Sequence, residues 1–274
     1  MNLLFLLLLL PIITKSAPTA YRTAPLTTWS DHVLNPPSKS PSTTRKNRRR
    51  PPRHSETPPS SPPSESGGVT SPFMSPSTFT SLTASSLTTP STVDAMVASF
   101  TNLLTKGKWS SPSSGDGVSV WLGEPDKDSY GSGSPVIKGS GDVPNLKPVE
   151  VARLLMDSSR VQTYNSISLG RTDVSVTSDG LSSSNPKQQA IGTTKIVENV
   201  TAPPVGGKCT FRTMMHSRLI APSSYVVVSR GLPLASQKST ILLGINIITP
   251  KGDGSLVESV THVYSKGVPG VVAR

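Results

Sequence analysis

A chain of 274 residues is long enough for one or two domains, but its 27 prolines and 34% hydrophobic content mean that much of it cannot pack into a core. The net charge of +11 is typical of proteins that meet nucleic acid or an acidic membrane surface, and the first 90 residues carry over half of that excess. Cys209 is the only cysteine, which excludes an intrachain disulfide framework and a cysteine-based zinc site.

Residues 1–20 have the pattern of a signal peptide. The apolar run from Leu3 to Ile13 is too short to span a bilayer as a helix and has the length of a signal-peptide core. Small residues follow it, so we expect cleavage before Ala17 or after Ala20. The chain is therefore expected to enter the secretory pathway, for the endoplasmic reticulum lumen, an endomembrane or the cell exterior.

Residues 21–90 are predicted to be a linker rich in Ser, Thr and Pro. Such a composition buries too little apolar surface to offset about 1–2 kcal/mol of backbone ordering per residue, so we expect disorder. Its basic run, 45–53, would bind nucleic acid only on a cytosolic route, and no nucleic-acid partner is expected. A basic, acid-poor segment behind a signal peptide resembles the bipartite presequences of algae with complex plastids, which makes a plastid the alternative destination.

The folded part is predicted to begin at residue 91. Ser91 or Thr92 can cap a helix whose apolar residues recur at helical spacing until Gly107 ends it. Two short strands follow, at Val118–Trp121 and Pro135–Lys138, and then a second helix that begins at about Pro148 and continues through Met156 to Ser158–Val161. Six more strands are predicted at Asp173–Thr177, Thr193–Val200, Thr210–Leu219, Tyr225–Ser229, Ile241–Thr249 and Leu256–Tyr264.

Consecutive strands at such short separations imply antiparallel pairing, and helices segregated from the strands give an α+β fold. A long curved sheet encloses an apolar space if a helix covers its open side, and that helix should come last. The sequence stops soon after the last predicted strand. We therefore expect this lid helix to be missing and Arg274 not to be the natural end of the domain.

Several pieces of the chain, in a fixed order, resemble START domains, in particular divergent members from algae such as diatoms. These pieces are Val151–Asn165, Leu169–Asp173, Tyr225–Arg230, Leu242–Ile248, Ser259–Tyr264 and Lys266–Pro269. The family's arginine-aspartate-aromatic signature is replaced around Cys209–Arg212. The resemblance covers most of residues 92–274 and implies a helix-grip fold for residues 91–274, with an N-terminal helix and an inserted helix.

The resemblance also implies that one lipid, a sterol, phospholipid or sphingolipid, is bound in an apolar cavity for transfer or sensing, with transient membrane contact. It places six lipid-binding residues, namely Glu198, Arg212, Met214, His216, Arg218 and Val227. Glu198 with Arg212 or Arg218 would orient the head group, and an exposed cross-strand ion pair is the alternative. His216 points the same way as Met214, and its alternative role is that of a structural hydrogen-bonding residue.

The sequence lacks the common catalytic motifs. It contains no G-x-S-x-G, no P-loop, no H-E-x-x-H and no pair of cysteines. Catalytic residues, a metal site and a cofactor are therefore not predicted. The alternative to lipid binding is a secreted or wall-associated structural protein whose Ser/Thr/Pro-rich tail is glycosylated.

Overall fold

The computed structural model describes residues 67–115, 117–202, 207–235 and 239–265. The predicted signal peptide, the basic run at 45–53 and most of the predicted linker lie outside the described residues. The stretch from 266 to 274, where a lid helix would follow the last strand, lies outside them as well.

Residues 67–106 form four helices on one side of a sheet. They are α1 (Gly67–Thr70), α2 (Pro76–Thr80), α3 (Ala84–Leu87) and α4 (Pro90–Lys106). The first three fall in the segment predicted to be a disordered linker, and there the structure differs from the prediction. Phe79, Leu82 and Leu87 are buried in the core that α4 covers, and Ser75 and Thr83 accept hydrogen bonds that cap α2 and α3. The segment is polar on average, but three buried apolar residues and two helix caps are enough to fold it.

Helix α4 is the helix predicted from residue 91, and it starts one residue earlier. Its cap is Thr89, whose hydroxyl accepts a hydrogen bond from the backbone N–H of Thr92, because Pro90 occupies the first helical position. The apolar stripe that predicted the helix is the stripe it buries, consisting of Val93, Met96, Val97, Phe100 and Leu104. Gly107 ends the helix, as predicted.

Nine strands form one antiparallel sheet. They are β1 (Ser113–Gly115), β2 (Val118–Gly123), β3 (Val136–Val143), β4 (Ser168–Asp179), β5 (Thr193–Thr201), β6 (Cys209–Ala221), β7 (Ser224–Leu232), β8 (Ser239–Lys251) and β9 (Gly254–Ser265). Their spatial order is β1-β2-β3-β9-β8-β7-β6-β5-β4. Each of the eight predicted strands is present, and the additional strand, β1, is a three-residue edge of Ser and Gly without an apolar pattern.

The connection from β3 to β4 crosses the other side of the sheet. It contains α5 (Pro148–Met156), a 3-10 turn (Ser158–Arg160) and α6 (Val161–Tyr164). Pro148 occupies the first position of α5, and the Glu150 carboxylate accepts the backbone N–H of Lys147 at 2.7 Å. One more helix, α7 (Pro186–Ile191), lies between β4 and β5 and was not predicted.

The alternation of side chains along the strands gives the sheet two distinct faces. The first face, packed against α4, carries Ile196, Met214, Val228, Ile245 and Val260. The second face, packed against α5 and α6, carries Val197, Met215, Val227, Ile248 and Val257.

Candidate functional site

The second face is covered at one end only. Its apolar residues lie at the end where α5 packs, against β6, β7, β8 and β9. Further along the same strands, Ser229, Asn246 and Thr261 are only half-buried, although β7, β8 and β9 lie inside the nine-stranded sheet. The middle of this face is therefore accessible to solvent at these three positions.

Polar side chains line this accessible region. Two neighbouring rows of paired residues cross β6, β7, β8 and β9. The first row consists of Ser217, Val227, Asn246 and Ser259. The second row consists of Met215, Ser229, Gly244 and Thr261. We call Ser217, Ser229, Asn246, Ser259 and Thr261 the polar strip. The equivalent first-face positions of the same strands, Val228, Ile245 and Val260, are apolar and fully buried. The first face of the same strands also carries polar residues, namely His216, Arg230 and His262, but these are sealed from water.

Half-buried apolar residues border the polar strip. On β3, Ile137 pairs with Thr261 of the polar strip. Val263 lies two residues after Thr261 on β9 and pairs with Ile241 on β8. All three apolar side chains are partly exposed. The accessible part of the second face is thus amphipathic, with Ile137, Ile241 and Val263 as its apolar edge.

A charged cluster lies on the same face beside α5. The Lys195 ammonium is 2.7 Å from the Asp173 carboxylate and 3.1 Å from the Ser158 hydroxyl. The Arg171 guanidinium donates to Ser158 at 3.0 Å and to the Leu155 carbonyl at 2.8 Å. The cluster ties β4 and β5 to the segment after α5.

Electrostatics explain why these charges are tolerated. The side chain of Lys195 is 5% exposed and that of Asp173 40% exposed, and burial lowers the pKa of Lys195. Burial alone would raise the pKa of Asp173, but hydrogen bonds from Lys195 and Ser158 and the charge of Lys195 outweigh it and lower that pKa. Asp173 thus remains a carboxylate that neutralises the buried ammonium.

The six residues predicted to bind lipid do not lie on one face. Met214 and His216 are buried on the first face, whereas Val227 is buried on the second. Arg218 pairs with Asp94 of α4, and therefore also lies on the first face. A single ligand on one face cannot contact all six residues, because the sheet separates them. Which of them contact a lipid stays a prediction.

The Glu198–Arg212 pair forms as a cross-strand ion pair on the first face. Its atoms are 3.2 Å apart, and the side chains are 37% and 38% exposed. Such exposure is typical of a surface pair of small energetic value.

The His216 Nδ1 atom lies 2.8 Å from the Thr194 hydroxyl, and burial, reinforced by the charge of Arg218, lowers the pKa of His216 to about 4. His216 is neutral at pH 7.

Sequence reasoning did not single out Arg230, which is fully buried on the first face. Its guanidinium donates to the carbonyls of Ser71 and Leu242, at 2.5 and 3.0 Å, and lies 4.6 Å from the ring centroid of Phe100. Among the described residues no carboxylate forms an ion pair with it. It joins the segment before α2 to the sheet, and no sequence signal distinguishes it from an exposed strand arginine.

A cavity of about 950 Å³ lies apart from the polar strip. Phe73, Leu103, Trp109 and Val136 supply apolar walls, and charges of both signs, including Lys127 and Asp126, line it as well. A small molecule could also be held in this cavity. Experiments on ligand binding must therefore distinguish the two.

The described ranges contain no cluster of three or more His, Cys, Asp or Glu arranged to hold a metal ion. Of the helices in the same ranges, none has the length and apolar character needed to cross a membrane.

Comparisons with known proteins identify the fold. No family model matches the chain. No curated protein sequence matches it. Among solved structures, human STARD10 is similar, with a TM-score of 0.51 and 14% identity over 65% of this chain and 71% of that chain.

Two other solved structures have lower TM-scores. The lipid transfer and protein localization domain of human StarD13 has a TM-score of 0.46 at 13% identity, covering 60% of this chain and 78% of that chain. The STAR-related lipid transfer protein fragment from Xanthomonas axonopodis has a TM-score of 0.47 at 14% identity, covering 60% and 87%. Together with the curved nine-stranded antiparallel sheet, the likeness to STARD10 shows that this chain has a START-like helix-grip fold.

Proposed function

We propose that the domain binds one lipid molecule, without chemical change, on the accessible part of the second face. The observation that carries the proposal is the half-buried middle of β7, β8 and β9, which α5 and α6 leave uncovered on this face while α4 seals the other. A solvent-facing surface would expose its polar residues throughout, whereas Ser217 and Ser259 of the polar strip are at most 1% exposed. The START-like fold supports the same class of ligand.

The amphipathic layout gives the lipid an orientation. Its hydrocarbon would lie on the apolar edge formed by Ile137, Ile241 and Val263, where each buried Å² of apolar surface contributes about 25 cal/mol. Its polar end would reach the polar strip, where Asn246 and Thr261 offer hydrogen-bonding groups. In the charged cluster, Asp173 neutralises Lys195, and Arg171 adds a second positive charge at the far wall of the site.

The proposed role is binding for transfer or sensing, with transient contact to a membrane from which the lipid is taken. A route through the secretory pathway, with the plastid as the alternative, remains the proposal for the compartment. Of the six residues predicted from the sequence, Val227 lies on the face proposed to hold the lipid. The first-face residues would then support the sheet from behind.

Native mass spectrometry of the full chain, incubated with a panel of neutral and charged lipids, tests the proposal. We expect one lipid per chain, and we expect Thr261→Trp to lose it because the indole fills the accessible region. The matched control is Ser132→Trp, which places the same ring in the 950 Å³ cavity and should retain the lipid. A wild-type chain that takes up no lipid from the panel would contradict the proposal, as would loss of the lipid in the control alone.

A further inference from the structure

The polar strip contains hydrogen-bonding groups that the protein itself leaves unused. The Ser217 hydroxyl is fully buried and has no hydrogen-bond partner. Within the described part of the chain, the side chains of Ser229, Asn246 and Thr261 also make no hydrogen bond. The Ser259 hydroxyl reaches only the Gly139 carbonyl, at 3.5 Å. Of these groups, the Ser217 hydroxyl is both buried and unpaired, which is rare inside a protein. Ser229, Asn246 and Thr261 are half-buried, so a ligand could take the place of the water that reaches them.

These groups are adjacent in space. Asn246 is the strand neighbour of Ser259, and Thr261 follows two residues along β9 on the same face. Directly opposite side chains on paired strands lie about 4.5–5.5 Å apart. Gly244 lies between Ser229 and Thr261, and a Cβ atom there would come within 2.4 Å of the Ser229 oxygen. The glycine therefore keeps the middle of the strip free of side-chain bulk.

The strip carries no formal charge. In its row, the nearest ionised side chain is Lys195, which is separated from Ser229 by Met215 and is already paired with Asp173. Arg171 reaches the Met215 sulfur at 3.6 Å, and its other hydrogen bonds go to Ser158 and the Leu155 carbonyl. A charged head group on the strip would therefore lose its hydration without an ion-pair partner among the strip residues. Hydroxyl and amide groups, in contrast, can both donate to and accept from Asn246, Ser229 and Thr261.

We infer that the ligand is an uncharged lipid whose head group carries several hydroxyl or amide groups, bound with that head group on the polar strip. This inference rests on the function proposed above. A sterol has one hydroxyl, so its ring system would leave most of the strip without partners, and each buried unpaired polar group weakens binding. The strip thus selects against a sterol by the hydrogen bonds that a sterol cannot make.

Competition binding to the full chain tests this, with ceramide and monoacylglycerol as uncharged lipids with several such groups and cholesterol as the sterol. We expect the first two to bind at least about tenfold more tightly than cholesterol, as for sites built to pair a polar group. The double variant Asn246→Leu/Thr261→Val removes the amide and one hydroxyl from the accessible part of the strip, and should lower that preference at least about tenfold. Both substitutions keep the side-chain size similar, and a thermal melt checks that the fold is retained.

The matched control is Asn102→Leu/Thr172→Val, which makes the same chemical changes at exposed positions on α4 and on the edge strand β4. It should keep the wild-type preference. Equal or tighter binding of cholesterol by the wild type, or an unchanged preference in the double variant, would overturn the inference while lipid binding itself stands. A chain that binds none of the three lipids would overturn the proposed function, and this inference with it.

Discussion

The two faces of the sheet are built from the same strands but differ in how completely helices cover them. On the first face, α4 lies over apolar side chains, and even the polar residues His216 and Arg230 are sealed from water. On the second face, α5 covers one end and leaves Asn246 and Thr261 half-buried and unpartnered within the described chain. Within the described residues the first face is therefore a sealed core, and the second is the face on which we propose that a lipid binds.

Acidification should show the largest effect, through the two buried histidines of the first face. Burial lowers the pKa values of His216 and His262 to about 4, with the charges of Arg218 and Arg230 acting in the same direction. The ordinary value is about 6.5, so between pH 6.5 and 4 the unfolded chain binds more protons, and the free energy of unfolding falls as pH falls. Each histidine should contribute a loss of about 3 kcal/mol over this window.

Denaturant unfolding at several pH values measures this dependence. His216→Gln and His262→Gln should each flatten the curve between pH 4 and 6.5, whatever their effect at neutral pH. A curve in both variants as steep as in the wild type would show that water reaches the first face.

Truncation of Phe100 to alanine should come next, with a loss of about 3–5 kcal/mol in unfolding free energy. Phe100 is fully buried in α4, and its ring lies under the Arg230 guanidinium. Val174→Ala on β4 is the control, because Val174 is 50% exposed and should change stability by less than about 0.5 kcal/mol. Similar losses in the two variants would remove the distinction between sealed and open regions.

Asp173→Asn tests the charged cluster of the second face. The change leaves the buried Lys195 ammonium without its carboxylate, but Asp173 is 40% exposed, so solvent screening limits the loss to about 1–3 kcal/mol. Asp142→Asn is the control, because Asp142 and its partner Lys251 are both more than half exposed. That pair should contribute less than about 1 kcal/mol. If Asp173→Asn lowers the free energy of unfolding no more than Asp142→Asn does, water already screens the charge of Lys195.

The smallest effect on stability is expected from replacing one threonine by valine on each face. Thr194→Val on the first face removes the hydroxyl that is 2.8 Å from His216 Nδ1, and should cost about 1 kcal/mol. Thr261→Val on the second face removes a hydroxyl without a partner in the described chain, and should be neutral within about 0.5 kcal/mol. Chemical denaturation of the lipid-free protein resolves this difference. Equal costs would indicate that Thr261 has a structural partner in the folded chain.

The eight predicted strands could be found because each segment either alternates apolar and polar residues or is continuously apolar, and each is bounded by turn residues. Helix α4 could be predicted because its apolar residues repeat at helical spacing and a glycine follows. The short helices at 67–87 could not, because their order depends on burial in the core between α4 and the sheet, which their polar composition does not indicate. Neither could β1, which has three small residues and gains its pairing only from β2.

For the site, alternation correctly placed Met214 and His216 on one face, but could not say which face α4 would cover. That choice is made by tertiary packing. A signal for the polar strip was present in the sequence, since Asn246, Ser259 and Thr261 are polar residues at alternate positions of strands whose other face is apolar. It becomes meaningful only once the register shows that the three are neighbours.

The most direct test of the account is to locate a bound lipid. A lipid with a photoreactive group near its head, incubated with the full chain, irradiated and mapped by peptide mass spectrometry, reports the residues it contacts. The account predicts crosslinks to β7, β8 and β9 peptides that are lost in Thr261→Trp and kept in Ser132→Trp. Crosslinks concentrated on Phe73, Trp109 and Leu103 would place the ligand in the 950 Å³ cavity and contradict the assignment of the second face.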